Sequence, residues 1–263
     1  MAIEKLYNPE KGVMRVAGFM SGSGTNLRKI IEHEKRLESG NGRGGAPYRV
    51  VVIFSDDKRS NAVQIGSDYN IPVVVRDIRT FYRAIGKPLR DLSAREQFDR
   101  EIVEALRQFE VSVAAYAGYM SIATAPLINA FFGVNVHPAD LSILADGKRK
   151  YTGDKAVRDA ILSGEKELRA TTHLVESVVD EGRILMISPP LRVQLLPDFN
   201  PLNDAEVDSM TTMHQSHLKN VGDWVIFPRT LEYLATGRYS QDEKGNLYFD
   251  GNPIPQGLRL EAA

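Results

Sequence analysis

The chain has 263 residues, 43% of them hydrophobic, which is enough to bury a full core, and its length fits a single large α/β domain over residues 1–263. Lys and Arg number 33 against 34 Asp and Glu, so no global field draws in nucleic acid or an anionic membrane. With no cysteine there are no disulfides, thiolate nucleophiles or cysteine-based metal sites. Residues 1–11 are polar and charged, no apolar run approaches a membrane span, and the reading is a cytoplasmic protein.

In chain order, β-branched apolar runs fall at residues 13–19, 49–55, 71–75, 111–117 and 133–137, with helix-like sequence between them. This alternation predicts an α/β fold with an open, mostly parallel twisted sheet. The first run passes through Met20 into Ser21-Gly22-Ser23-Gly24-Thr25-Asn26-Leu27. Strand, small-residue turn and helix start make a candidate phosphate site. Gly22 and Gly24 let the backbone approach a ligand, the first helical N–H groups and the helix dipole point at an anion, and Ser23, Thr25 and Asn26 add donors. No Gly-Lys-Ser/Thr closes the loop, and Leu27 stands where a dinucleotide fingerprint has its third glycine, so a phosphate monoester fits better than a pyrophosphate. The plainer alternative is a tight βα turn with a polar cap.

Further along, Ser93-x-x-Glu96 reads as a capping box opening a helix in which Phe98, Ile102, Val103 and Leu106 recur at helical spacing. Beyond Gly164, residues 169–177, 183–187 and 191–195 read as closely spaced antiparallel strands at the C-terminal edge of the sheet. Helices follow near 204–219 and 223–236, and residues 241–255 resemble a short hairpin and tail. Loops are expected at 39–47, 84–93 and 139–152.

Three polar groups can converge beyond the carboxyl ends of the strands, where open α/β sheets bind ligands: Asn135, His137 and Asp180. In Gly133-Val134-Asn135-Val136-His137-Pro138 the strand period of two puts Asn135 and His137 on one face. Asp180 lies in the turn Asp180-Glu181-Gly182, a few residues after Thr171-Thr172-His173-Leu174-Val175, and its carboxylate can reach back to His137. Taken singly, a strand-end histidine is more often structural and an Asp-Glu-Gly more often a solvated turn. His173 reads equally as a buried sheet histidine or as a ligand-facing one.

Together, the Ser-Gly-Ser-Gly-Thr-Asn-Leu loop, Asn135-x-His137-Pro138 and Asp180 seven residues after His173 resemble the phosphoribosylglycinamide formyltransferases of the folate-dependent formyltransferase family. Ala117-Gly118-Tyr119-Met120, the Ala94-Arg95-Glu96 helix start, Asp223-Trp224-Val225-Ile226-Phe227-Pro228 and Gly251-Asn252-Pro253-Ile254-Pro255 carry the resemblance across nearly the whole chain. It implies a Rossmann-like formyltransferase fold and formyl transfer from 10-formyltetrahydrofolate to the amine of glycinamide ribonucleotide, with no metal. By the same resemblance, Gly24, Thr25 and Asn26 hold the substrate phosphate, and Arg95 and Asp223 contact its polar groups. Tyr119, Met120, Ser121, Ile122, Val175 and Val179 border the folate. Asn135 and a protonated His137 stabilise the oxyanion, and Asp180 raises the histidine's pKa. The partners implied are small molecules, with a monomer or homodimer as the assembly.

The chain departs from the family pattern after His137-Pro138, where Ala139-Asp140-Leu141-Ser142 replaces Ser-Leu-Leu-Pro and Lys155 stands where a histidine is common. Ser121 replaces an arginine, and residues 34–46 and 78–92 read as peripheral insertions. Four other readings stay open. A formyltransferase for another amine differs in the acceptor, and a formyltetrahydrofolate hydrolase uses water, although residues 1–12 leave no room for its usual regulatory domain. A nucleotide-binding oxidoreductase would use Asp56 as a ribose contact, and a non-catalytic binding protein could share the fold.

Overall fold

The computed structural model describes residues 3–40 and 45–261. Its main sheet has eight strands: β1 (Met14–Met20), β2 (Tyr48–Ser55), β3 (Val73–Val75), β4 (Val113–Tyr116), β5 (Phe132–His137), β6 (Thr171–Leu174), β7 (Ile184–Ile187) and β8 (Leu258–Arg259). Their order across the sheet is β8-β7-β6-β5-β4-β1-β2-β3. Strands β3, β2, β1, β4 and β5 run parallel, β6 is antiparallel to both β5 and β7, and β8 lies parallel to β7. The chain starts in the middle, builds outward to β3 and returns to β4, so the connections diverge between β1 and β4 and leave a crevice at their carboxyl ends.

Among the described residues, eight α-helices accompany the strands: α1 (Thr25–Gly40), α2 (Ala62–Tyr69), α3 (Ile78–Ala84), α4 (Leu92–Leu106), α5 (Ala125–Ala130), α6 (Ala156–Leu162), α7 (Asp204–Leu218) and α8 (Trp224–Ala235). Strand alternation sorts the core into two layers. Met14, Val16 and Met20 of β1 pack with Leu27 and Ile30 of α1 and with Ile226, Phe227 and Leu231 of α8. Ala17 and Phe19 face the other way, onto Phe98, Ile102 and Leu106 of α4 and Leu127 of α5.

Several expectations are corrected. Asp91, not Ser93, caps α4: it precedes the first helical residue in extended backbone and its carboxylate accepts the Ala94 N–H at 3.0 Å, whereas Ser93 already lies inside the helix. Leu191–Arg192 leaves the main sheet and pairs with Glu167–Leu168, and the edge position goes to β8 from the tail. The C-terminal hairpin, Tyr239–Asp242 with Leu247–Phe249, belongs to a second sheet that also takes in Asn252–Pro253 and Ile3–Lys5. The expected loop at 139–152 contains a short hairpin, Leu144–Ala145 against Lys148–Arg149. Of the loop at 39–47, Ser39 and Gly40 complete α1, and residues 41–44 lie outside the described residues. In 78–92, α3 packs on α4 through Phe81 and Phe98, whose ring centroids are 5.1 Å apart. Between α7 and α8 the chain makes a π-helical turn, Lys219–Asp223, that no pattern in the sequence announced. Among the described residues, no helix is long and apolar enough to cross a membrane.

Glu34 opens one of the stretches expected to be peripheral, yet it is buried and its Oε2 accepts the Val50 N–H at 2.8 Å. Burial raises its carboxyl pKa despite that bond. Val50 sits where the β1–β2 register shifts, Val16 pairing with Val50 and Ala17 with Val52, so the ladder is irregular at the residue Glu34 serves. Glu34→Leu strands a buried N–H and is expected to cost about 1–3 kcal/mol in urea unfolding, while Glu34→Gln, which keeps an acceptor, costs less.

Candidate active site

A cleft of about 760 Å³ opens at the carboxyl edge over the β1/β4 crevice. It is lined by residues 21–26 after β1, 116–123 from β4 and its following loop, 135–138 at the end of β5 and just beyond it, and parts of 173–180, with Gly153, Asp154, Gln215, Lys219 and Asp223 closing the rim. Parallel strands send these loops out on one side, which is why segments far apart in sequence share one cavity.

On the β1 side, Gly24 has φ +69°, and a Cβ there would meet Ile65 Cδ1 at 2.4 Å and Met20 Cε at 2.8 Å. Loop carbonyls are turned into the protein: Gly22 accepts from the Asn61 N–H at 3.0 Å, Ser23 from Asn61 Nδ2 at 3.4 Å, and Gly24 from the Arg28 N–H at 2.9 Å. The first amides of α1 have no intrahelical acceptor and point toward the cleft end of the dipole. Asn26 lines the cleft, but its side chain is already engaged, donating to Asp223 Oδ2 and accepting from Trp224 Nε1, each at 3.0 Å. What Asn26 can offer an anion is therefore its backbone N–H.

On the β4 side, Met120 and Ile122 expose apolar surface, joined across the cleft by Val175, Val178 and Val179. Ser121 donates its hydroxyl to Asp56 Oδ2, while Asp56 Oδ1 accepts from Ser21 at 2.6 Å and Ser21 Oγ accepts from the Met120 N–H at 2.9 Å. Asp56 is thus a buried clasp joining three loops and is not disposed to meet a ribose. Arg95, expected as a substrate contact, does not line the cleft. It is 4% exposed beneath the loop, donating from Nε to the Ile122 carbonyl at 2.8 Å and from Nη2 to Tyr119 Oη at 3.2 Å, with Asp99 Oδ1 3.4 Å from Nε. Helical spacing aims it inward, and desolvation is met by pairing it with Asp99 one turn on.

Asn135, His137 and Asp180 do come together. Pairing of β5 with β6 sets His173 opposite Asn135, and Asn135 Nδ2 lies 3.2 Å from His173 Nε2. His173 Nδ1 donates to the Leu174 carbonyl at 2.8 Å, leaving Nε2 to accept from the amide. Asp180 places Oδ2 at 3.5 Å from His137 Nδ1 and Oδ1 at 3.6 Å from His173 Nε2, and Oδ2 accepts the Gly153 N–H at 2.8 Å. His137 Nε2 donates to the Tyr151 carbonyl at 2.9 Å. The Asp180 carboxyl is held down at about 2: burial opposes ionisation, but the neighbouring His173 and His137 rings and the Gly153 N–H outweigh it. The protonated His137 that the resemblance implies is disfavoured by burial in the free protein. Burial pushes its pKa below 6.5 and outweighs the opposing pull of Asp180 and the Tyr151 carbonyl.

Residues not singled out by the sequence complete the lining, notably Lys219, Gln215, Tyr116, Asp154 and Glu176. Lys219 is the one lysine, with no arginine, among the described cleft residues; its ammonium makes no side-chain hydrogen bond or ion pair, and its charge acts on Asp223 only from a distance. A Lys219/Asp223 pair four apart at a helix junction was the available signal, but only the π-turn aims both at the cleft. No group of three or more His, Asp and Glu able to hold a metal occurs among the described residues.

Asp223 Oδ1 is buried without a partner, and burial pushes this carboxyl up to about 6. Because the folded value lies above the ordinary 3.8, the folded state holds the proton more tightly, and stability is lost as pH rises through about 6. Asp223→Asn is therefore expected to be more stable than the parent by roughly 2 kcal/mol at about pH 7.5, and to lose that advantage near pH 4, in paired calorimetric melts.

Comparison with known proteins agrees with this geometry. The Formyl transferase family model matches residues 14–193, a span that holds the β1 loop and Asn135, His137 and Asp180. The phosphoribosylglycinamide formyltransferase of Haemophilus influenzae is 26% identical over 247 residues, covering 92% of this chain and 96% of that one. The trifunctional purine biosynthetic protein adenosine-3 of Drosophila melanogaster is 29% identical over 225 residues, 85% of this chain, which spans only 14% of that protein's length. Glycinamide ribonucleotide transformylase 1 from Symbiobacterium toebii superposes with a TM-score of 0.66 at 25% identity, covering 90% of this chain and 94% of that structure. A cleft that gathers the β1 loop with Asn135, His137 and Asp180, and a family match across most of the chain, lead to one assignment: the chain belongs to the formyl transferase family.

Proposed function

We propose that the protein transfers the formyl group of 10-formyltetrahydrofolate to the amine of glycinamide ribonucleotide, a step in purine synthesis. The observation that carries this reading is the meeting, in one cleft, of the helix start at Gly24, Thr25 and Asn26 with Asn135, His137 and Asp180. A phosphate monoester sits on the amides of Gly24, Thr25 and Asn26, and Lys219 supplies a countercharge. The unpartnered Oδ1 of Asp223 takes a hydrogen bond from the ribonucleotide. The apolar surfaces of Met120, Ile122, Val175 and Val179 suit the flat pterin ring, and Tyr119 and Ser121 shape that wall.

In the reaction, the substrate amine attacks the formyl carbon, the carbonyl oxygen takes the negative charge, and the bond from that carbon to N10 of the folate breaks. Asn135, its amide held by His173, donates to the oxyanion, a contact worth about 3–4 kcal/mol at comparable sites. His137 starts neutral. With Nε2 committed to the Tyr151 carbonyl, Nδ1 receives the amine proton, and the Asp180 carboxylate 3.5 Å away stabilises the cation until the proton passes to N10.

The direct test mixes purified protein with both substrates and follows tetrahydrofolate formation by absorbance. Turnover requiring both supports the reading, folate consumption without the amine favours the hydrolase, and no reaction with either overturns it. In the active protein, His137→Ala is expected to lower kcat roughly 100-fold or more, and Asn135→Ala by a similar factor. The kcat/KM profile is expected to fall on the acid side below pH 6.5, as the ring protonates. Asp180→Asn removes the charge that favours the protonated ring and should move that limb to still lower pH, a shift that pH-rate measurements on the two proteins resolve.

A further inference from the structure

Asp180 carries the central carboxylate in a backbone conformation that side chains disfavour: its φ is +55°, in the left-handed region. Such a residue persists only where its surroundings over-determine it. One side of the turn is pressed against β6, since a Cβ on Gly182 would meet the Leu174 carbonyl oxygen at 1.8 Å. The other side is held by a single guanidinium. Arg149 Nη1 donates to the Asp180 carbonyl, Nη2 donates to the Gly182 carbonyl at 2.8 Å, and Nε lies 3.7 Å from the Glu181 carboxylate, with the arginine side chain only 11% exposed.

Arg149 ends the short hairpin formed by Leu144–Ala145 and Lys148–Arg149, where it pairs with Leu144. The same strand of chain then makes two more contacts with the site: the Tyr151 carbonyl accepts from His137 Nε2, and the Gly153 N–H donates to Asp180 Oδ2. Within five residues, this segment grips the Asp180 backbone, the Asp180 carboxylate and the His137 ring. This is the stretch in which the sequence leaves the pattern of its family after Pro138. The planar fork of arginine can bond two carbonyls at once, which a lysine ammonium on a flexible stem does not reproduce.

Resting on the reaction proposed above, we propose that Arg149 is a positioning residue for formyl transfer, its hairpin acting as a strap that locks the Asp180 turn so that the carboxylate stays between His137 and His173. Arg149 touches no reacting atom. It acts through Asp180, and its loss leaves the Asp180 and Gly182 carbonyls without their donors and the left-handed turn free to relax.

Two measurements test this. Amide exchange does not depend on turnover: in Arg149→Ala, exchange at Gly153 and across residues 178–183 is expected to rise roughly ten-fold or more while amides of β1 and β4 keep their protection. The kinetic test is a double-mutant cycle. Arg149→Ala is expected to lower kcat by roughly 10- to 100-fold with little change in KM for the ribonucleotide, and added guanidinium should restore part of it, whereas Arg149→Lys stays impaired. In an Asp180→Asn background the same substitution should cost about two-fold or less, because the group it positions is already disabled. Equal losses in both backgrounds, or unchanged exchange at Gly153, overturn the proposal. If the parent does not turn over the ribonucleotide at all, the reaction reading fails while amide exchange still decides whether Arg149 holds the turn.

Discussion

The carboxyl edge of the parallel strands, at the point where β1 and β4 diverge, is the constraint on which the rest of the molecule depends. Strands β1, β4 and β5 all end on that edge, so the loop that starts α1, the Tyr119–Ile122 wall and the Asn135/His137 pair are delivered to one place without contacts designed for each. The Asp56 clasp then fixes the spacing of the first two of these against the loop after β2 through Ser21 and Ser121, and buried Arg95 supports the wall from beneath. Asp56 and Arg95 thus hold the frame of the cleft.

Burial organises the electrostatics. Described cleft residues include Asp154, Glu176, Asp180 and Asp223 but one lysine, so the positive potential on offer to an anion there comes chiefly from the first amides of α1 and from Lys219. Low solvation drives neighbouring groups in opposite directions. Asp180 is kept ionised by the donors around it, His137 is kept neutral by burial, and Asp223, with one oxygen unpartnered, rises to about 6. A carboxylate that costs stability while waiting for a donor is characteristic of a site built for a ligand rather than for folding.

Legibility followed physical range. Periodicity and turn chemistry are local, so the βα alternation, the α1 loop and the pairing of Asn135 and His137 on one face could be read residue by residue. Edge order could not: whether 191–195 or the tail at 258–259 completes the sheet depends on which segment reaches β7, a competition between distant pieces of chain. Likewise, Asp91 and Ser93 are both plausible caps, and only the helix start distinguishes them. The fate of Arg95 turned on which way α4 is rotated against the Tyr119 loop, and the resting charge of His137 on how much water the fold excludes.

By itself the sequence determined the class of fold, the glycine-rich turn that opens α1 and the shared face of Asn135 and His137, because each rests on local spacing, and it singled out Asp180 as the group that could reach them. The tertiary structure alone decided that His173 orients Asn135, that Asp56 and Arg95 are internal supports, that Lys219 joins Asp223 in the cleft through a π-turn, and that Arg149 holds the Asp180 turn. Those outcomes depend on desolvation and on contacts between segments separated by tens to nearly two hundred residues, such as Asn26 with Asp223, whose free energy is set only when the chain is packed.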